Sequence, residues 1–294
     1  MRKKVTKNTI LKMKRSGEKI AAITSYDFLS TKIIDQTGID LILVGDSLGM
    51  VIMGYENTLP VTMEEIIHHL KAVSRARPSA IVVGDMPFMS YQASVEDAVR
   101  NAGRLVKEGG AESVKLEGGE RYVPVIEAVV QASIPVVGHL GLTPQSLHQM
   151  GGYRIQGRDD ESAGKMVREA KALEQAGCFA IVIEGVPYQL ANTITESISI
   201  PTIGIGAGSH CDGQVLVLND MLGIHEESLP RFVKVYDEIG DRIRDAVSMY
   251  VEEVKEGRFP SIEHSYSTPR KKSADRAGDN EESNDSGSGP ESNK

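Results

Sequence analysis

The chain has 294 residues, a formal net charge of −8 and two cysteines, Cys178 and Cys211. Forty per cent of it is hydrophobic, which excludes a wholly disordered chain, and two cysteines exclude a disulfide scaffold. The acidic balance, with no basic stripe to offset it, argues against nucleic acid as a partner, and no apolar run approaches the roughly 20 residues of a membrane span.

The basic N-terminus, MRKKVTKNTILKMKRSGEK, reads as a short amphipathic helix with Ile10 and Leu11 among lysines. It lacks the apolar stretch of a signal peptide, so the expected location is the cytoplasm. Eight short apolar runs follow: Lys19–Thr24, Leu41–Val44, Ala80–Val83, Ser113–Leu116, Pro135–Val137, Ala180–Ile183, Thr202–Ile205 and Val215–Leu218. They are nearly continuous in apolarity, as strands buried on both faces should be. Helical patterns lie between them at Thr31–Thr37, Thr62–Arg77, Ser94–Lys107, Arg121–Ala132, Glu161–Gln175 and Pro187–Ser197. TMEE at Thr62 has capping-box spacing, and SVED at Ser94 puts acids in a first helical turn. Gly38 and Gly177 close helices before the next strand. A final helical pair is expected at Leu229–Ile239 and Asp241–Glu256.

Residues His264 to Lys294 carry three apolar side chains, Tyr266, Ala274 and Ala277. So polar a stretch cannot offset its chain entropy by burial and reads as a disordered tail, 264–294, behind a single catalytic domain, 1–263. Strict β–α alternation implies parallel strands with right-handed crossovers. Eight units in about 260 residues favour an α/β fold of the (β/α)8 TIM-barrel type; a doubly wound open sheet is the alternative.

Polar residues stand where the apolar runs end. VGDSLG gives Asp46 and Ser47, VVGDMPF gives Asp85, and VKLEGG gives Lys115 and Glu117 on one face by period two. VVGHLGLTPQ gives His139 and IVIEGVP gives Glu184. In a parallel barrel these ends share one rim, where active sites of the fold sit. Each residue alone also has a structural reading: a turn-forming Asp, a Lys115–Glu117 ion pair, a core histidine, a buried partner at Glu184. Together, Asp46, Asp85 and Glu117 would repel one another unless a cation lies between them. Oxygen-only ligands suit Mg2+ better than Zn2+. Such a metal can chelate a 2-oxo acid, Lys115 would stabilise developing negative charge, and Glu184 reads as the general base.

Other motifs carry less. GIGAG at Gly204–Gly208 has Ser209 where a dinucleotide fingerprint needs its third glycine. The Met150–Arg158 loop reads as a cover, a subunit contact or a plain loop. Cys178 reads as a small hydrophobe, and SHCDG lacks the spacing of a tetrahedral zinc site.

The segments VGDSLGMVIMGYENTLPVTMEE, GDMPFMSY, VKLEGG, VVGHLGLTPQS, IVIEGVP, TIGIGAG and CDGQVLVLNDMLG, in that order, resemble the ketopantoate hydroxymethyltransferase family. The similarity runs from about Thr6 to Pro260. It implies a TIM barrel of the phosphoenolpyruvate mutase and isocitrate lyase superfamily. It also implies a pantothenate- and coenzyme A-pathway transferase that moves a hydroxymethyl group from 5,10-methylenetetrahydrofolate to 3-methyl-2-oxobutanoate, giving 2-dehydropantoate by way of a Mg-stabilised enolate. Family positions for the metal, one Mg2+ per subunit, match Asp46, Asp85 and Glu117. Those for the oxo acid match Asp46, Ser47, Asp85 and Lys115; the proton acceptor matches Glu184, and His139 matches a further active-site position. The resemblance also implies a homo-oligomer, often a decamer. The rivals are a folate-independent barrel lyase and a non-catalytic 2-oxo acid binder.

Overall fold

The computed structural model describes residues 2–225 and 228–268. Contacts divide the chain into two units, Met1–Ile243 and Arg244–Lys294. From residue 269 onward the expected polar tail lies outside the described residues.

In the first unit eight strands close a parallel barrel in chain order. They are β1 (Ile20–Thr24), β2 (Leu41–Val44), β3 (Ile81–Asp85), β4 (Ser113–Lys115), β5 (Val136–Gly141), β6 (Ala180–Glu184), β7 (Thr202–Ile205) and β8 (Gly213–Leu216). The barrel closes where Ile20 to Ile23 pair with Gly213 to Leu216, so the open-sheet alternative falls. Helices Phe28–Asp35, Met63–Arg75, Val95–Lys107, Val123–Gln131, Asp160–Gln175 and Tyr188–Ser197 fill the crossovers. Thr62 and Glu65 form the expected capping box, and Ser94 caps the next helix through its side chain.

Several expected bounds shift: the helix expected at Thr31–Thr37 runs Phe28–Asp35, and the strand expected at Pro135–Val137 runs on to Gly141. Two further shifts lie near the end of the first unit. The last strand begins at Gly213 rather than Val215. A side chain at 213 would come within 2.5 Å of the Ile20 carbonyl, so only glycine lets β8 approach β1, and the Gly-Gln start masks a strand. The second shift is at Leu229–Ile239, whose described residues form no helix before Ile239. The Tyr236 and Ile239 amides donate instead to Met221 and Leu222 carbonyls. Phe232, a neighbour of β-branched Val233, packs against Gly206, a contact that draws the segment away from a helical path.

Alternation within each strand separates two cores. Outward Ile42, Val82, Val114, Val136 and Ile181 pack under the helices. Inward Leu41, Leu43, Ile81, Val83, Val137, Ala180, Val182 and Ile203 fill the barrel together with Val5, Ile10 and Met13 of the N-terminal segment. The helix Lys7–Ser16 thereby seals the N-terminal end of the barrel, with Ile10 and Met13 buried. Complete burial of an isoleucine such as Ile10 contributes about 1.5–3 kcal/mol.

The second unit carries the larger part of the helix Ile239–Lys255 and a turn at Ile262–His264. Arg258 pairs there with Glu252, Glu253 and Glu256, and the Phe259 ring contacts Tyr250 and His264. Among the described residues no helix is long and apolar enough to cross a membrane.

Candidate active site

The same alternation builds the rim. Along β3 the inward residues run Ile81, Val83, Asp85; along β4 and beyond, Ser113, Lys115, Glu117; along β6, Ala180, Val182, Glu184. Below the charges these inward rows are uncharged and largely apolar, and charge gathers toward the C-terminal end of the barrel. Register brings the charges together. Asp85 pairs with Lys115 across β3 and β4, and parallel neighbours in register point the same way. His139 is level with Val182, one inward step below Glu184. Gly141, at φ +98°, is level with Glu184; a side chain there would lie 2.1 Å from the Glu184 carbonyl.

A cavity of about 920 Å³ opens at this end. Asp46, Ser47, Asp85, Lys115, Glu117, His139 and Glu184 all line it, so every site residue expected from sequence falls in one place. Asp46, Asp85, Lys115, Glu117 and His139 are buried. Lys115 Nζ lies 2.9 Å from Asp85 Oδ1 and 3.9 Å from Glu117 Oε1. His139 bridges two acids: Nδ1 is 3.3 Å from Glu117 Oε1 and Nε2 is 3.2 Å from Glu184 Oε2.

Burial and neighbouring charge oppose each other here. Burial raises the Asp46 pKa well above the carboxylate range, and the charges of Asp85 and Glu117 add to it. Burial also raises Asp85, with Lys115 offsetting part of the effect. For Glu117 the burial effect is outweighed by His139, Lys115 and the Gln145 amide, and its pKa falls. Burial would deprotonate Lys115, but Asp85, Glu117 and Asp46 outweigh it and hold the ammonium charged. His139 is pushed up to about 9: burial and Lys115 act downward, and Glu117 and Glu184 prevail.

Among the described residues no three His, Cys, Asp or Glu side chains already converge as a cation cage. The donor chemistry nonetheless fits a hard divalent cation. Asp85 Oδ1 and Glu117 Oε1 are buried without an aligned hydrogen bond, and two neighbouring carboxyls are held above their ordinary range, a cost that a cation removes. A cation that retains several waters needs few direct protein ligands.

Residues that the sequence reading passed over complete the site. Tyr26 is buried with its hydroxyl 2.8 Å from Ser47 Oγ. Gln145, in the turn after β5, bonds Asp46 and Glu117, and Tyr91 bonds Gln145. Tyr153 and Ile155 of the Met150–Arg158 loop, Phe232 and the half-buried Asp220 line the cavity. Gln145 and Tyr153 lie inside segments singled out above, but as turn and loop residues they carried no chemical signal. Cys178 and Cys211 are buried just ahead of β6 and β8, at the opposite ends of those strands.

A closed parallel barrel with buried carboxylates, a lysine and a histidine in a cavity at its C-terminal rim has the form of an α/β-barrel enzyme. Solved structures of that form are similar to it in fold. They include a phosphonopyruvate hydrolase in complex with oxalate and Mg2+ (TM-score 0.58, 14% identity, 88% of this chain and 93% of that one). Another is 2,3-dimethylmalate lyase, of the PEP mutase/isocitrate lyase superfamily (TM-score 0.55, 16% identity, 88% and 87%).

The family model for ketopantoate hydroxymethyltransferase matches residues 4–262. A 3-methyl-2-oxobutanoate hydroxymethyltransferase of Geobacter metallireducens is 57% identical over 267 residues, 91% of this chain and all of that protein. One of the same name from Thermoanaerobacter sp. strain X514 is 56% identical over 271 residues, 92% and 99%. The chain belongs to the ketopantoate hydroxymethyltransferase family and is thereby a transferase.

Proposed function

We propose that the protein transfers the one-carbon unit of 5,10-methylenetetrahydrofolate to 3-methyl-2-oxobutanoate, yielding 2-dehydropantoate for pantothenate and coenzyme A synthesis. The observation that carries this reading is the convergence of Asp46, Asp85, Lys115, Glu117, His139 and Glu184 on one cavity, in a chain 57% identical to a relative bearing that name.

Asp46, Asp85 and Glu117 would hold one divalent cation, Mg2+ by their hard oxygen donors. The cation would supply Lewis acidity to the keto oxygen of the oxo acid. Ser47 and Lys115, with Asp46 and Asp85, orient the substrate. The charged Lys115 ammonium meets the negative charge that grows on the keto oxygen when the neighbouring carbon loses its proton. Glu184 takes that proton. His139, 3.2 Å from Glu184 Oε2, fixes the orientation of the base. Leu43, Leu142, Val182 and Ile205 on the cavity wall suit the branched alkyl group. The carbon nucleophile then bonds to the methylene carbon as one of that carbon's two bonds to folate nitrogen breaks. Water displaces the second nitrogen and supplies the hydroxyl oxygen. Tetrahydrofolate leaves with its two nitrogens protonated by the proton that Glu184 took and by one from the water.

The folate-independent lyase reading has less support, because neither cysteine lies at the rim. A homo-oligomer, a decamer by the resemblance, and a cytoplasmic location belong to the same proposal. Incubation with the oxo acid and methylenetetrahydrofolate tests the function: 2-dehydropantoate should form, should vanish with EDTA and return with excess Mg2+. Turnover of the oxo acid without folate would contradict it.

A further inference from the structure

The three rim carboxylates share a feature that the catalytic reading does not use. Each has one oxygen held by the scaffold. Asp85 Oδ2 accepts the Asp46 backbone amide at 3.2 Å. Asp46 Oδ2 accepts Gln145 Nε2 at 2.9 Å. Glu117 Oε2 accepts the Gln145 backbone amide at 3.0 Å. The second oxygens of Asp85 and Glu117 are among the buried atoms left without an aligned hydrogen bond, and they face Lys115 Nζ at 2.9 Å and His139 Nδ1 at 3.3 Å. Gln145 therefore fixes two of the three acids, one through its side chain and one through its main chain.

Gln145 is itself fully occupied. Its Nε2 also donates to the Met86 carbonyl at 3.0 Å, and its Oε1 accepts from Tyr91 Oη at 2.8 Å and from Gln92 Nε2 at 3.2 Å. Two donors and two acceptors exhaust a carboxamide. The orientation is unambiguous, because the Met86 carbonyl can only accept. Tyr91 Oη in turn accepts the Glu117 backbone amide at 3.1 Å, so a single hydroxyl ties the Glu117 main chain to the Gln145 side chain. Both residues are buried, Tyr91 at 2% and Gln145 at 5% exposure. Where a network is saturated in this way, one change disturbs every member.

We propose that Gln145, braced by Tyr91, is a positioning residue for the divalent cation: it pins one oxygen of Asp46 and one of Glu117 and so presents the other oxygen of each to the metal. This rests on the metal reading given above. Outer-sphere partners of this kind typically change metal affinity by about 10–100-fold. The test is Mn2+ binding to the intact protein without substrate, followed by EPR of the free ion and by calorimetry. Gln145→Met keeps the volume and removes both side-chain donors and the acceptor. Its Mn2+ affinity should fall about 10–100-fold, and the metal concentration for half-maximal transfer should rise in step, with turnover at saturating metal closer to wild type. Tyr91→Phe keeps the Gln145 donors and removes the brace; it should lose affinity in the same direction by a smaller factor. If Gln145→Met does not fold, Tyr91→Phe decides. Unchanged Mn2+ affinity in a folded variant, with only the melting temperature lowered, would overturn the clamp alone. Absence of Mn2+ binding by the wild type would overturn the metal reading and the clamp with it.

Discussion

The two ends of the barrel use the same residue types to opposite ends. At the floor, where strands begin, acids accept backbone amides, and three of them also pair with a base from the N-terminal segment. Asp40 accepts the Ala21 amide and pairs with Arg2. Glu112 accepts the Val82 amide and pairs with Lys4. Asp212 accepts the Thr202 amide and pairs with Lys14. Asp35 accepts the Ser79 and Ala80 amides. At the rim, Asp85 and Glu117 each leave a buried oxygen without an aligned partner. The floor acids leave no buried oxygen unpartnered and hold chain segments together; the remaining rim oxygens face the charged Lys115 and His139 without an aligned hydrogen bond and are available to a cation or substrate. For the acids beside strands, a place just before the first residue (Asp40, Glu112, Asp212) or at and beyond the last (Asp85, Glu117) decides which they do.

This contrast makes predictions at both ends. The largest effect is expected at the rim: Asp85→Asn should cut transfer activity more than about a hundredfold, with affinity for Mg2+ weakened by at least the factor typical of metal-site partners, while the circular dichroism spectrum stays native. The matching change at the floor, Asp212→Ala, should reverse the pattern. It strands Lys14, which is 14% exposed, and frees the Thr202 amide. About 3 kcal/mol of stability should be lost, read by urea denaturation, with the turnover of the folded fraction intact. Equal loss of activity in both variants would break the contrast.

A smaller effect concerns pH. His139 has a folded pKa of about 9, above the roughly 6.5 of an unfolded histidine. Its proton therefore stabilises the fold fully below about pH 6.5, and that contribution is lost as pH rises through about 9. In metal-free protein the melting temperature should fall between these limits more steeply for wild type than for His139→Gln; parallel curves would show that the Glu117–His139–Glu184 bridge does not hold the charge. The smallest effect is expected for Lys4→Ala. The Lys4–Glu112 pair is about 40% exposed on both sides, and such pairs contribute less than about 1 kcal/mol. A loss several times larger in denaturant titration would mean that the backbone bonds of Lys4 to Pro78 and Ala80 carry the floor.

The barrel was legible because eight apolar runs alternate with capped helices, and because parallel strands buried on both faces leave an unbroken apolar signature. The rim was legible for a related reason. A charge in the inward row of such a strand has no place in the core, so Asp85, Lys115 and Glu184 stand out. The floor acids did not stand out, since Asp40, Glu112 and Asp212 precede strands and look like ordinary turn residues. Gln145 and Tyr91 were hidden differently. A glutamine after Thr-Pro reads as a turn, and a buried tyrosine reads as core, until their partners more than 25 positions away come into view. The Leu229–Ile239 segment carried an apolar pattern compatible with a helix, but long-range bonds to Met221 and Leu222 decide its path.

The central claim is that Glu184 removes a proton from an oxo acid held beside the rim carboxylates. The most direct test follows, by NMR in D2O without folate, the exchange of the hydrogen beside the keto group of 3-methyl-2-oxobutanoate. Wild-type protein with Mg2+ should exchange it, EDTA should stop the exchange, and Glu184→Gln should bind Mg2+ and the oxo acid yet exchange at least about a hundredfold more slowly. Undiminished exchange by Glu184→Gln would contradict the assignment of the base.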